Sequence, residues 1–324
     1  MLRVRSVSCV AIALSATACR CGESSEPVFD ASESALSEPT SVPPPPPKPK
    51  LVKTWEKKVG FKAPESVLHD VSSDLYFVTN VEGKPLERDN KAFVSKVAPE
   101  ADGVELKWIE AGKKGVTLHA PKGMALSGET LFVADIDTVR LFDRRTGAPA
   151  GEVKVPGATS LDDVAAAPDG RVFVSDTGMK DDGNGGVVAA GTDAVYVIGK
   201  DRKVDVWAKS PELDHPNGLV WSGVQPYAVS FGKGELYAVE NGTKSGPQSA
   251  PAGMLDGLVL VNNDYWVTSW AGKAVYRTRP NQPFVVMIED VRSPADLGYD
   301  RTRRRLLVPL AEEDELRAYE IELR

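Results

Sequence analysis

The sequence predicts an all-β fold, a six-bladed β-propeller whose last blade is closed by an N-terminal strand. Three observations carry this expectation. From about residue 51 onward no segment shows a sustained helical period. Short runs rich in Val, Tyr, Phe and Leu alternate instead with Gly, Asp, Asn and Pro, the signal of many strands joined by turns. Finally, one unit recurs six times: a small motif, an apolar residue, a turn, then a strand followed by Thr, Ala or Ser. A spacing of roughly 40–60 residues suits four-stranded blades, each of which needs neighbours to cover its apolar faces.

The chain starts differently. Met1 to Arg5 is basic, residues 7–16 are apolar, and Ala16-Thr17-Ala18 precedes Cys19. This is the pattern of a secretory signal over residues 1–18, and its apolar run is too short to span a bilayer. The small residues before Cys19 resemble a lipoprotein box, in which Cys19 becomes the lipidated N-terminus. The same residues also satisfy ordinary small-x-small cleavage, and Ala16 stands where lipoproteins usually carry Leu. Residues 19–50 are rich in Ser, Glu and Pro, with proline throughout 43–47. Such composition buries too little to fold and predicts an extended tether, which favours the lipidated reading. The expected location is the cell envelope, with a membrane partner engaged through the lipid anchor alone. All three cysteines, Cys9, Cys19 and Cys21, fall in this leader, so the domain has no thiol for a disulfide, nucleophile or metal.

Residues 51–324 form the expected propeller. Pro64-Glu65-Ser66-Val67 leads to Leu75-Tyr76-Phe77-Val78, and Pro121-Lys122-Gly123-Met124 leads to Leu131-Phe132-Val133-Ala134. Leu161-Asp162-Asp163-Val164 leads to Val172-Phe173-Val174-Ser175, and Pro216-Asn217-Gly218-Leu219 to Leu236-Tyr237-Ala238-Val239. Leu255-Asp256-Gly257-Leu258 leads to Tyr265-Trp266-Val267-Thr268, and Pro294-Ala295-Asp296-Leu297 to Leu306-Leu307-Val308-Pro309. Pro309 fits poorly inside a central strand, which makes the sixth blade the weakest match. Val52 to Glu56 reads as a strand without its own blade. It is expected beside residues 316–321, where it removes an exposed edge.

The second residue of each motif recurs at the start of the innermost strand, so these residues should ring one mouth of the central channel. They are Glu65, Lys122, Asp162, Asn217, Asp256 and Ala295. Hard oxygen donors converging from separate blades are what calcium or a similar divalent ion requires. The competing account is that Asn-Gly and Asp-Gly pairs form turns and that a wet channel is polar in any case. Lys122 can neutralise one of the carboxylates. The formal charge of −7 is spread without a basic stripe, which argues against a nucleic-acid partner.

Asn217 within Pro-Asn-Gly-Leu, Asp256 within Asp-Gly-Leu, Glu65, and Asp163 with Pro168-Asp169-Gly170 resemble the senescence-marker-protein, gluconolactonase and luciferin-regenerating-enzyme family. The similarity runs from about Trp55 to the C-terminus, and the blade pattern is shared with NHL-type propellers. The resemblance implies a divalent cation, calcium foremost with zinc or manganese as other candidates, held by Glu65, Asn217 and Asp256. It also implies that Asp256 is the general base of lactone hydrolysis. Asp162 replaces the Asn that contacts substrate, Ser160 replaces an orienting Arg, and Pro-Glu-Ser replaces the usual Glu-Gly-Pro. Pro64-Glu65-Ser66-Val67-Leu68 and Pro121-Lys122-Gly123-Met124 look instead like an envelope-associated branch of the family.

Asp162 and Lys122 are candidate substrate-binding residues. His119 and His215 stand just upstream of channel motifs, where they either reach the mouth as bases or are ordinary loop histidines. His69 is expected to be structural. The loop at 179–186 lacks the alternating acids and closing Glu of a calcium loop and reads as a hairpin. Trp207, Trp221 and Trp266 are expected in blade packing, and Trp270 beside the mouth. Two functions follow: a metal-dependent lactonase or ester hydrolase, or a non-catalytic monomeric envelope propeller that binds a small molecule or protein partner over the same mouth.

Overall fold

A computed structural model describes residues 48–184 and 186–322. The expected signal at 1–18, Cys19 and residues 19–47 of the expected tether lie outside the described residues. The domain is built from six four-stranded antiparallel sheets plus one two-stranded hairpin. In order from the axis outward, blade one uses Pro64–Asp70, Leu75–Asn80, Phe93–Val97 and Val104–Glu110. Blade two uses Pro121–Ser127, Thr130–Asp135, Thr138–Asp143 and Pro149–Lys154. Blade three uses Leu161–Ala166, Val172–Asp176, Ala194–Ile198 and Val204–Lys209. Blade four uses Pro216–Trp221, Pro226–Ser230, Glu235–Glu240 and Thr243–Ser249. Blade five uses Leu255–Val261, Asp264–Ser269, Ala274–Thr278 and Val285–Ile288.

Blade six uses Gly298–Asp300, Arg305–Leu310, Glu315–Glu322 and, outermost, Lys50–Lys57 from the start of the domain. The closing strand therefore sits where the sequence predicts it, with Leu51 opposite Ile321 and Lys57 opposite Leu316. Pro309 explains the irregularity of this blade. Its carbonyl accepts from the Ala295 N–H at 3.0 Å, but it has no N–H to return, and the inner strand is regular only from Gly298. One assignment changes. The second strand of blade four is Pro226–Ser230, and Leu236–Val239 belongs to its third strand. Pro226 and the short apolar run behind it masked the intervening strand.

Packing is between blades rather than around one centre. Each of the six blade–blade interfaces has its own apolar cluster, including that between blades six and one, where Phe61, Val67 and Tyr76 meet Leu307 and Leu316. Between blades three and four, Phe173 stacks on Trp221 at 5.3 Å and meets Trp207 edge-on at 5.1 Å. Such aromatic pairs add about 0.5–1.5 kcal/mol beyond their area. Trp207, Trp221 and Trp266 are thus packing residues.

The inner strands share one distortion. The register slips between Pro64 and Val67, Pro121 and Met124, Leu161 and Val164, Pro216 and Leu219, and Leu255 and Leu258. In blades one, three and five a hydroxyl clasps this bulge to the next blade. Ser175 Oγ, for example, accepts from Asp163 N and donates to the carbonyl of Asn217 at 2.6 Å. Thr79 and Thr268 do the same for the carbonyls of Lys122 and Ala295. Gly218 and Gly257 lie in strands and are not turn residues. A Cβ on Gly218 would come within 2.3 Å of the Asp256 carbonyl, so the close approach of inner strands demands glycine.

Candidate functional site

The bulge places five of the six predicted ring residues, Glu65, Lys122, Asp162, Asn217 and Asp256, on one cavity of about 440 Å³. Ala295 is buried and does not line it. The residues that follow Asp162 and Ala295, namely Asp163 and Asp296, line the cavity at the opposite end of the channel. Adjacent acids on one strand thus serve different ends of the axis.

Lys122 organises one side of the ring. Its Nζ lies 2.7 Å from Asp162 Oδ2 and 3.5 Å from Glu65 Oε1. Burial alone would lower the lysine pKa, but attraction to Asp162 and Glu65 outweighs it and holds the ammonium above its usual value. Burial raises the Glu65 carboxyl; Lys122 opposes this and Asp162 adds to it.

The other side is left open. Trp270 Nε1 donates to Asp256 Oδ2 at 2.9 Å, so the indole fixes one carboxylate oxygen. Asp256 Oδ1 and Asn217 Oδ1 are both buried without a hydrogen-bond partner. Burial, reinforced by repulsion from Glu65 and Asp162, pushes the Asp256 carboxyl well above the ordinary range. The three carboxyl groups of the ring share one ammonium, and two buried oxygens wait for an electrophile.

Deeper in the channel Asp163 accepts the Leu219 and Val164 N–H groups at 2.6 Å each. Burial still raises its carboxyl to about 8. Asp296 accepts the Ser66 hydroxyl at 2.5 Å and is raised for the same reason. Sequence reasoning missed Asp296 by following only the second motif position; the third position, with Ser66, Asp163 and Asp296, held the signal.

Neither His119 nor His215 lines the mouth cavity. His119 Nδ1 accepts from Asn90 N at 3.1 Å, and His215 Nδ1 lies 2.7 Å from the Thr177 carbonyl. Both serve their loops, so the base role is assigned to neither. The 179–189 segment is a hairpin, Met179–Asp181 against Val187–Ala189, and Met179 and Val187 form part of the cavity wall. His69, Asp74 and Asp300 bring three possible ligand atoms within 4.8 Å, but Arg303 already holds both carboxylates. That cluster is a structural lock.

No family model matches the sequence, and no curated protein sequence matches it. Solved structures do resemble the fold. A structure described as a putative gluconolactonase is 17% identical, with 86% of this chain and 94% of that chain covered and a TM-score of 0.62. A gluconolactonase from Xanthomonas campestris is 18% identical, covering 84% and 90%, with a TM-score of 0.59. A luciferin-regenerating enzyme is 16% identical, covering 85% and 100%, with a TM-score of 0.57. At these identities the likeness is one of fold, and function must be argued from the site.

Proposed function

We propose that this chain is a divalent-cation-dependent hydrolase of lactones or esters acting at the Asp256 mouth of its channel. The observation that carries the reading is the pair of buried, unpartnered oxygens Asn217 Oδ1 and Asp256 Oδ1 in a ring where carboxyls outnumber ammonium groups. With the Glu65 carboxyl they make a set of hard oxygen donors from three blades, which fits calcium foremost and zinc or manganese as alternatives. Held there, the cation would supply Lewis acidity to the substrate carbonyl.

The chain's own residues supply the rest. Trp270 orients Asp256 through Oδ2 and leaves Oδ1 to face the cation, with the carboxylate serving as the base. Lys122 keeps Asp162 and Glu65 in place. Lys122 also favours a second reading, because it already neutralises part of the ring. In that reading the protein binds a ligand or partner at the mouth without chemistry.

Thermal stability after EDTA, followed by Ca²⁺, Mn²⁺ or Zn²⁺ and a lactone panel, separates the two. Binding of an ion at a hundred times its Kd is expected to add about 2.7 kcal/mol, and Asn217→Ala to abolish that gain. No response to any of the three ions, with Asp256→Ala indistinguishable from the parent, leaves only the binding role. The same proposal places the protein as an exported monomer tethered to the cell envelope through Cys19. Mass spectrometry of the mature protein should find an acylated Cys19; an unmodified N-terminus there refutes the anchor.

A further inference from the structure

Resting on the hydrolytic reading, we propose that the mouth takes lactones or esters bearing an apolar alkyl or acyl chain and disfavours polyhydroxylated sugar lactones. The polar ring forms only the floor of the cavity. Above it stand Val81, Leu86, Met179, Val187, Phe231 and Met254. They come from segments of blades one, three and four and from the approach to blade five, so the apolar wall is built from several blades and is not a single patch. Val187 is 52% and Met254 37% exposed, large apolar side chains left in water beside a polar floor. Two of the six are methionines, whose flexible thioethers adapt to chains of differing shape.

The same wall offers little to a sugar. Each ring hydroxyl taken out of water needs a donor or acceptor in return. Outside the ring the polar side chains lining the cavity are Ser160, Thr177 and Glu312; Ser160 is buried, and Glu312 is engaged with Arg292 at 3.4 Å. Lys122, the only cation among the described residues that line the cavity, is committed to Asp162 and Glu65. A chain of apolar carbons, in contrast, removes collar surface from water with no unmet polar group.

The test uses the full-length, calcium-loaded protein with γ-lactones carrying methyl to octyl chains and with glucono-lactone, reading kcat/KM. Specificity should rise about fourfold per added methylene until the collar is filled, and glucono-lactone should rank below the octyl compound. Val187→Asp, at a half-exposed position, should lower kcat/KM for the octyl lactone about tenfold, and for the methyl lactone less. A flat chain-length profile, or preference for the sugar lactone, overturns the inference while leaving hydrolysis standing. Hydrolysis-resistant γ-lactams of the same chain lengths, followed by calorimetry, give the independent arm. Chain-length-dependent lactam binding without turnover of any lactone retains the apolar ligand class and removes the hydrolytic reading. Absence of lactam binding at every chain length overturns the inference.

Discussion

Two polar clusters of similar composition sit in this propeller and are wired in opposite ways. One, at the seam between blades one and six, contains His69, Asp74, Tyr76, Asp300 and Arg303. Arg303 grips Asp74 through both Nη atoms at 2.8 and 2.6 Å, and Tyr76 donates to Asp300 at 2.6 Å. Asp300 also accepts the Thr302 and Arg303 N–H groups. The other cluster, at the channel mouth, leaves Asn217 Oδ1 and Asp256 Oδ1 without partners. The carboxyl pKa values follow. Arg303 holds Asp74 well below the usual range, and at Asp300 the effect of burial is overcome by Tyr76, the backbone and Arg303. At Asp256 burial and like charge drive the carboxyl upward. At the seam every oxygen of Asp74 and Asp300 is engaged, and only His69 Nδ1 lacks a hydrogen bond; at the mouth a carboxyl oxygen and an amide oxygen are left open, an arrangement suited to an incoming group.

Mutations should break this contrast cleanly. The largest expected effect is on catalysis. Asp256→Ala should lower lactone or ester turnover by at least ~10²-fold while leaving the melting temperature of the cation-free protein unchanged or raised, since it removes a desolvated carboxyl. Turnover close to the parent's would end the assignment of Asp256 as base. Arg303→Ala should do the reverse, costing about 3 kcal/mol in urea unfolding because Asp300 is left buried without its cation, with kcat intact where the protein is folded. A variant of unchanged stability would show that the seam is not the lock described.

The last effect lies in the pH dependence of stability. Asp74 has a lowered folded-state pKa, so its contribution is complete above the unfolded value of ~3.9 and is lost as pH falls through the acidic range. Asp163 is raised to about 8, so the folded state keeps a proton that the unfolded chain has released. Stability of the cation-free protein should therefore decline from about pH 4 toward pH 8, by at most ~1.4 kcal/mol per unit from this group. Asp163→Asn should flatten that slope, and an unaltered profile would contradict the assignment.

Most of the fold was legible because blade repeats are local. Period-two apolar runs, Gly and Asp turns and the recurring second-position residue locate five inner strands without any long-range contact. The fourth blade was misread by one strand because two apolar runs, Pro226–Ser230 and Glu235–Glu240, follow closely and either satisfies the pattern. The ring residues were legible for the same local reason, whereas Asp296 was not, since its significance depends on Ser66 230 positions away. His119 and His215 were ambiguous because sequence adjacency to a channel motif does not fix the direction of an imidazole.

By itself the sequence determined six repeating units, a strand left over at the start of the domain, and acids at a repeating position. These follow from side-chain size and alternation along a few consecutive residues. Only the tertiary structure decided which charges meet. Lys122 joins Glu65 and Asp162, the Trp270 indole takes one oxygen of Asp256, and loops from several blades raise an apolar collar above them. The Lys122 pairings join residues from three blades, while the Trp270 contact closes within blade five; all depend on distances of a few ångströms. Coulomb energy and desolvation act through those distances, and no local pattern encodes them.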